Sequence, residues 1–375
     1  MQTADVIIIG SGVNGSSAAY YLAKKGLKVI VLEASKNICE GATSRNGGGV
    51  RQSARDVREL PYTMYGIRNI WPNLSEELGM DIEYCQKGNL RLGITDAHRQ
   101  TLEKITQASV EAGLDVRMIS GDEVREICPH ISKEVTCASW CPTDGHANPM
   151  LTGLAFYKNA RRLGVRYFSN AKVTQLGKIK GKIRTVKTCS GEVYEAEHVI
   201  VAAGYDSRYI TRTVGIDIMM QRLFDECTIT EMQPHMFDMM LGTAEGDLYG
   251  HQCRHGSFVF GSMTGMEFSL DIGDSMKSTA LMMGANTRSI IKYVPALADA
   301  KVVRSWAGWC DMTLDSLPVV SEIDEVPGLI VACGFSGHGF GTGPVIGKIL
   351  SQMVLGEELI CDMTDFRYDR FKSMY

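Results

Sequence analysis

Val6-Ile7-Ile8-Ile9-Gly10-Ser11-Gly12-Val13-Asn14-Gly15 opens the chain's most readable unit. Four successive large apolar residues suit a strand buried on both faces. The glycines allow a tight turn and close approach of backbone to a phosphate. A helix from about Asn14 to Lys25 follows, with Ala18, Ala19, Leu22 and Ala23 toward the sheet and Gly26 ending it. Its N-terminus would offer free N–H donors and the positive end of the helix dipole. Lys28 to Leu32 reads as a second parallel strand, and Glu33 stands at its end, where a carboxylate accepts from a ribose hydroxyl. Together these features predict a dinucleotide site on a strand–helix–strand α/β unit.

Two further glycine-rich blocks narrow the choice of dinucleotide. The first is Gly41-Ala42-Thr43-Ser44-Arg45-Asn46-Gly47-Gly48-Gly49-Val50-Arg51. Its small residues let backbone touch a flat ring system. The second is Gly334-Phe335-Ser336-Gly337-His338-Gly339-Phe340, which precedes an apolar helix from Val345 to Leu355. A helix N-terminus aimed at a flavin would favour negative charge on the reduced ring. A phosphate loop near one end of the chain and a backbone-rich loop near the other fit FAD better than a nicotinamide dinucleotide.

Between these landmarks the pattern predicts a helical segment to about Leu78, alternating strands and helices over 82–145, and a strand at Gly88–Gly93. A helix follows Asp144–Pro149. Then come strands at Val165–Phe168 and Val173–Leu176, a hairpin around Gly181, and a buried strand at Val199–Gly204. Residues 206–325 are richer in Met, Thr and aromatics, and dinucleotide character returns at Gly328–Gly334. The expected organisation is a discontinuous cofactor domain (1–80, 145–205 and 326–375) interleaved with a mixed-sheet substrate domain (81–144 and 206–325). The expected fold class is α/β, α+β overall.

Composition sets outer bounds. The 375 residues are 45% hydrophobic and 22% charged with net charge −4, so nothing points to nucleic acid or an anionic membrane. The basic run Lys178–Lys182 reads as a solvated hairpin. No apolar run reaches the ~18 residues of a membrane span, and the N-terminus enters a strand with no room for a signal peptide. Eleven cysteines, an odd number, predict free thiols in a reducing, cytoplasmic setting. Cys137 and Cys141 form a lone CxxxC pair, so no metal site is expected. The 20 methionines read mainly as core filler.

The motifs in order resemble the D-amino-acid oxidase superfamily, and within it the group of sarcosine oxidases and dye-linked L-proline dehydrogenase β-subunits. The matching pieces are Gly10–Gly15 with Glu33, Ser44–Gln52, Pro142–Pro149, Arg304–Trp309 with Thr313–Pro318, and Gly334–Phe340. They span nearly the whole chain. The resemblance implies a Rossmann-like FAD domain of the p-hydroxybenzoate-hydroxylase type, and oxidation of a carbon–nitrogen bond by hydride transfer to flavin N5. It implies a proline-, hydroxyproline-, sarcosine- or opine-class amine as substrate. It also implies companion subunits carrying electron-transfer cofactors, with an FMN allowed at a subunit interface. The cofactor set expected is Gly10, Gly12, Val13, Asn14, Gly15, Glu33, Ala34, Thr43, Ser44, Arg45, Asn46, Gly47, Gly48, Val173, Ala203, Gly204, Gly308, Gly334, Phe335, Gly337, His338, Gly339, Phe340 and Gly341.

Such chemistry asks mainly for positioning, and no Ser-His-Asp or paired-carboxylate constellation is evident. Arg51 is the first candidate to hold a substrate carboxylate, since a guanidinium binds one bidentately; Arg254 and Arg304 are reserves. Tyr249 matches the position of an active-site tyrosine in sarcosine oxidases, and on a strand it shares a face with His251 rather than Gln252. Tyr249 and His251 are therefore the expected pair. The chain departs from sarcosine oxidases at two lysines: Gly341 stands where a substrate lysine follows the C-terminal motif, and Val259 where an oxygen-activating lysine lies. Without that cation superoxide formation loses electrostatic help, which favours a dehydrogenase over a peroxide-forming oxidase. Cys310 lies near a site of covalent flavin attachment in some relatives but is displaced, so the expected FAD is non-covalent. The rival readings are a stand-alone glycine- or sarcosine-oxidase-like enzyme, a non-catalytic electron-transfer flavoprotein and, more distantly, an NAD dehydrogenase.

Overall fold

Val6–Ile9 forms an inner strand of a six-stranded sheet, with Val6, Ile7 and Ile8 fully buried. Val29–Leu32 and His198–Val201 flank it in parallel, residue for residue. Arg166–Phe168 and Leu329–Cys333 extend the parallel run on either side. The computed structural model describes residues 2–267 and 276–372; Met1, 268–275 and 373–375 of the expected domain segments lie outside the described residues.

One face of this sheet is covered by helices Val13–Lys24, Pro149–Arg162 and Gly339–Leu355. The first and last of these pack closely because two glycines one turn apart face the first helix. A Cβ on Gly343 would stand 2.7 Å from Val13, and one on Gly347 would stand 2.1 Å from the Ser17 hydroxyl. Ser17 Oγ donates to the Gly343 carbonyl at 2.9 Å across that contact. Ile346, Ile349 and Leu350 are completely buried beside it, each worth about 1.5–3 kcal/mol of burial. On the opposite face lies a four-stranded sheet of Gln2–Thr3, Val193–Glu195, Lys182–Thr188 and Val173–Ile179. The turn at Lys180-Gly181 joins two of those strands, so the basic run is a hairpin.

The second large sheet has eight mixed strands. In spatial order they are Val302–Thr313, Met220–Thr230, Phe258–Gly261, Tyr249–Gln252, Met240–Thr243, Asn89–Gly93, Cys137–Cys141 and Arg117–Ser120. Its core centres on Leu90, Leu92, Phe258, Phe260 and Tyr293. A two-stranded ribbon, Gly49–Val50 with Gly145–His146, joins the second glycine block to the start of helix Pro149–Arg162.

Three details differ from the sequence expectation. The segment before Leu78 is two helices, Leu60–Asn69 and Trp71–Glu77, each with a proline in its first turn, because proline cannot continue a preceding helix. Val319–Glu322 pairs antiparallel with Leu329–Cys333, so it belongs to the cofactor sheet rather than to the 206–325 segment. Helix Ser207–Arg212 also packs on the cofactor side, with Ile210 in the core under that sheet. No helix among the described residues is long and apolar enough to cross a membrane.

Candidate functional site

A cavity of about 1140 Å³ runs from the carboxyl ends of the parallel strands, at Ile9 and Leu32, to the face of the eight-stranded sheet at Arg91, Met240 and Tyr249. Its two ends are built differently.

At the parallel-sheet end the walls are largely backbone. Gly10 adopts φ +105° and lies against Ala202, where a Cβ would come within 2.4 Å of the Ala202 carbonyl oxygen. Gly15 turns its Cα toward Gly10, and a Cβ there would sit 2.1 Å from the Gly10 oxygen. Glycine is thus required twice by geometry, once for conformation and once for helix–strand approach. The helix that follows has Gly12 as its N-cap, with no side-chain cap and no acidic residue in the first turn. Such an end is receptive to an anion. Asn14 Oδ1 is buried there with no partner. Glu33 accepts from Ser11 N at 3.0 Å, Ser11 Oγ at 2.5 Å and Ser35 N at 2.8 Å, and the carboxylate keeps lone pairs for further donors. Gly10, Gly12, Val13, Asn14, Glu33, Ala34, Val173, Ala203 and Gly204 all line this end.

The middle of the cavity is walled by the other two glycine-rich blocks. Thr43 Oγ1 accepts from Val13 N at 3.0 Å, tying the first block to the helix start. Arg45 lies across Gly308, whose absent Cβ would meet its side chain at 2.8 Å. Thr43, Arg45, Asn46 and Gly308 line the cavity, as do Phe335, Gly337, His338, Gly339, Phe340 and Gly341. Helix Gly339–Leu355 starts here, with His338 as its N-cap. A Cβ on Gly341 would be 2.9 Å from the Gly49 carbonyl, and the Gly341 carbonyl accepts from Trp71 Nε1 at 2.8 Å. No longer side chain fits at that position without displacing the Gly49–Val50 strand.

Behind His338 is a buried polar network that the sequence did not disclose. Glu59 accepts from Arg55 at 3.2 Å and from the Tyr62 hydroxyl at 2.8 Å, and lies 3.0 Å from His338 Nδ1. Burial pushes Glu59 upward, but the Arg55 charge and the bonds from His338 and Tyr62 outweigh it and hold the carboxyl at about 2. An ionised Glu59 only accepts, so Nδ1 of His338 carries the hydrogen. Burial and the Arg55 charge keep His338 neutral, at about 4. Arg55 Nε also donates to the Arg51 carbonyl at 2.7 Å, which links this network to the far end of the cavity.

At the eight-stranded sheet the walls are side chains. Arg51 donates through one nitrogen to the carbonyls of Ser53 at 3.0 Å and Ala54 at 3.3 Å. Among the described residues no carboxylate pairs with it. Burial, with the charges of Arg55 and Arg91, pushes its pKa down to about 9. The Tyr249 hydroxyl accepts from Gly49 N at 3.3 Å, leaving its own proton free to donate. Burial raises the Tyr249 pKa, so the phenol stays neutral. Asp225 reaches the same space from strand Met220–Thr230, and burial lifts it to about 6. Neither Asp225 nor Arg91 was expected from the sequence. Each sits in an ordinary strand pattern whose register alone brings it to the cavity.

Several expected site residues do not line the cavity. His251 shares the Tyr249 face, but the His146 ring stacks on it at 3.8 Å and closes that part of the sheet. Burial drives His251 far toward the neutral form. Gly15 has the packing role given above. Ser44 turns its hydroxyl back to the Gly41 carbonyl. Gly47 lets the backbone lie against the Tyr249 ring, and Gly48 has φ +81° against the Ala147 carbonyl. Gly334 donates its N–H to Asp311 Oδ2 at 2.7 Å, fixing the C-terminal loop from behind. The reserves are also outside: Arg304 is exposed, and Arg254 is exposed and paired with Asp81. Val259 faces the buried histidine pair through its register with His251. Cys310 lines the cavity, but burial pushes its thiol well up, away from the reactive thiolate. All eleven cysteines are free, and no cluster of three His, Cys, Asp or Glu among the described residues could hold a metal.

The glycine cradle, the uncapped helix start with its orphaned Asn14 oxygen, and Glu33 beyond it fit a dinucleotide, and the two further loops fit a flavin. Comparison with known proteins agrees. The family model described as FAD dependent oxidoreductase matches residues 5–353. Sarcosine oxidase subunit beta of Arthrobacter sp is 25% identical over 379 residues, covering 98% of this chain and 91% of that protein. Glycine oxidase of Bacillus subtilis is 27% identical over 389 residues, covering 99% and 98%. The crystal structure of L-proline dehydrogenase from P. horikoshii superposes with a TM-score of 0.91 at 26% identity, covering 100% of this chain and 99% of that one.

Proposed function

The chain belongs to the FAD-dependent oxidoreductase family, and from that premise we propose that it oxidises an amino acid or secondary amine of the proline, hydroxyproline, sarcosine or opine class. Electrons pass on to a partner or acceptor rather than to dioxygen, and the chain serves as the catalytic β-like subunit of a hetero-oligomer. The observation that carries this reading is the opening of a glycine-cradled dinucleotide cleft into a space holding Arg51, a half-buried guanidinium with no carboxylate partner among the described residues.

The cofactor set is Gly10, Gly12, Asn14 and Glu33 at the dinucleotide end, with Thr43, Arg45, Asn46 and the 335–341 loop along the flavin. FAD held there, without a covalent link, supplies the electron acceptor. The protein's own groups do the positioning. Arg51 grips the carboxylate of the substrate, and the Tyr249 hydroxyl donates beside it. Asp225 receives the proton that the ammonium form of the substrate must lose before its carbon–nitrogen bond is oxidised. With a pKa of about 6 it is suited to hold a proton transiently near neutral pH.

The dehydrogenase reading rests on missing lysines. Gly341 has no room for a lysine, Val259 is turned to the histidine pair, and Lys172, at the dinucleotide end, is the only lysine lining the cavity among the described residues. Companion subunits, with an FMN allowed at an interface, would then take the electrons. The free cysteines fit a reducing cytoplasmic setting.

The test is anaerobic mixing of the flavin-loaded protein with L-proline, D-proline, trans-4-hydroxyproline, sarcosine and an opine, followed by air. Bleaching by one of them with slow recovery in air is the expected result. Fast recovery with peroxide would replace the dehydrogenase by an oxidase. No bleaching by any amine, with companion subunits present, would leave an electron-transfer flavoprotein.

A further inference from the structure

Arg51 is not the only open guanidinium in the cavity. Arg91 lines the same end, on strand Asn89–Gly93. One of its terminal nitrogens donates to the Thr243 carbonyl at 3.0 Å, and its Nε is buried with no partner. The cross-strand residue is Gly242, and the guanidinium lies 3.8 Å from where a Cβ of that glycine would be. A glycine there leaves Arg91 room to lie over the neighbouring strand.

Neither arginine has a carboxylate ion-pair partner among the described residues. The carboxylate whose charge reaches both is Asp144. Its oxygens are already occupied by Gln52 N, Ser53 N and Oγ, and Asn89 Nδ2. Glu59 is taken by Arg55, Tyr62 and His338. Two half-buried cations that repel each other are costly unless an anion completes the site. Each guanidinium has five N–H donors, and most of those on Arg51 and Arg91 have no acceptor in the protein. Asn89, two residues from Arg91 on the same strand face, also lines the cavity and has an unpartnered Oδ1. That oxygen would accept from an N–H.

The geometry points to a substrate with two carboxylates: an imino- or aminodicarboxylic acid whose first carboxylate is held by Arg51 beside the reacting carbon and whose second is held by Arg91. This assignment rests on the amine-oxidation reading for the chemistry, while the two-carboxylate site itself can be tested without turnover.

Unreactive sulfur isosteres separate the two questions. Thiodiacetate carries two carboxylates and (methylthio)acetate one. Each is titrated into the flavin-loaded protein and followed by calorimetry and by the flavin spectrum. Thiodiacetate should bind on the order of 100-fold more tightly. Arg91→Gln should reduce that preference to within about threefold while leaving (methylthio)acetate unchanged, and Arg91→Lys should restore part of it. Equal affinities in the wild type, or a parallel loss of both ligands in Arg91→Gln with flavin content retained, would overturn the assignment. Flavin bleaching by iminodiacetate and sarcosine is then compared. If thiodiacetate is preferred yet no amine bleaches the flavin, the two-carboxylate site stands and amine oxidation falls. If sarcosine bleaches the flavin and thiodiacetate is not preferred, the reverse holds.

Discussion

The two ends of the cavity achieve fixed geometry by opposite means. Around Gly10 and Gly15 the wall is main chain at the limit of approach, and the absence of side chains is what matters. Around Arg51, Arg91, Tyr249 and Asp225 the wall is side chains from the second glycine block and three strands, carrying charge that burial makes expensive. Backbone approach is an all-or-none steric requirement. Buried charge is graded, and responds to a ligand, to a neighbour and to pH. The first end suits a group that never varies and the second a ligand that must be selected, which is how the proposed function divides them between cofactor and amine.

The sharpest way to break this contrast is Gly10→Val. A Cβ at that position collides with the Ala202 carbonyl and demands a left-handed conformation unsuited to valine. The variant should lose bound flavin and destabilise the fold by more than about 3 kcal/mol, read by flavin content and thermal melting. A yellow, stable variant would show that the backbone end tolerates change after all.

Arg51→Gln should leave the flavin bound and the fold intact. Its anaerobic flavin-reduction efficiency should fall on the order of 100- to 1000-fold, the effect of removing one partner from a buried charge pair. Loss of flavin in this variant would mean that Arg51 serves the cofactor end instead.

Asp225→Asn should act more moderately and with a pH signature. In the wild type, flavin reduction should rise with pH through about 6 as Asp225 ionises. The variant should lack that rise and be slower by about 10- to 100-fold above it. The stability effect has the opposite sense. A folded pKa of about 6, above the ordinary 3.8, means that the fold favours the protonated form. That stabilisation is lost as pH rises through 6. A neutral asparagine should therefore be more stable than the wild type by about 1–3 kcal/mol at pH 8, with little gain at pH 4. Thermal melts at the two values check the sign.

The smallest effect is expected at His251. Because the His146 ring shields it, His251→Leu should keep flavin reduction within about twofold of the wild type. It should change stability by no more than about 1 kcal/mol, since the lost Nδ1 already lacks a partner and Nε2 has only a long contact, 3.9 Å, to the Cys253 sulfur. A large fall in turnover would extend the reactive end of the cavity past Tyr249.

Legibility in the sequence followed the same division. The strand Val6–Ile9, its glycine turn, Glu33 and the 334–341 loop could be read because local sterics leave few other uses for such residues in that order. Tyr249 and His251 were rightly placed on one face by the two-residue period of a strand. Period alone does not say where a cavity stops, and the stacked His146 ring comes from a ribbon about a hundred residues away in sequence. Arg91 in Asn89-Leu90-Arg91-Leu92-Gly93 alternates with buried leucines, as any half-exposed strand residue does. Only the pairing with Gly242 shows it entering the cavity. Asp225 was hidden likewise by its place in a long strand. The expected segment boundary after residue 325 leaves Val319–Glu322 outside the last cofactor segment, because composition, which shifts gradually, cannot reveal its antiparallel pairing with Leu329–Cys333.

The order of that six-stranded sheet also bears on how the protein is made. A ribosome delivers the Gly10–Gly15 turn about 300 residues before the strands Val319–Glu322 and Leu329–Cys333 and the helix from Gly339. Until they arrive, the inner strand His198–Val201 has an open edge, and the Val13–Lys24 helix lacks the neighbour that packs against it through Gly343 and Gly347. The nascent chain thus waits, with an adhesive edge exposed, for that strand pair and that helix. Chaperone protection during synthesis and loading of flavin after release are the natural companions of such a topology, and a messenger truncated before Gly339 would yield a protein without its cofactor.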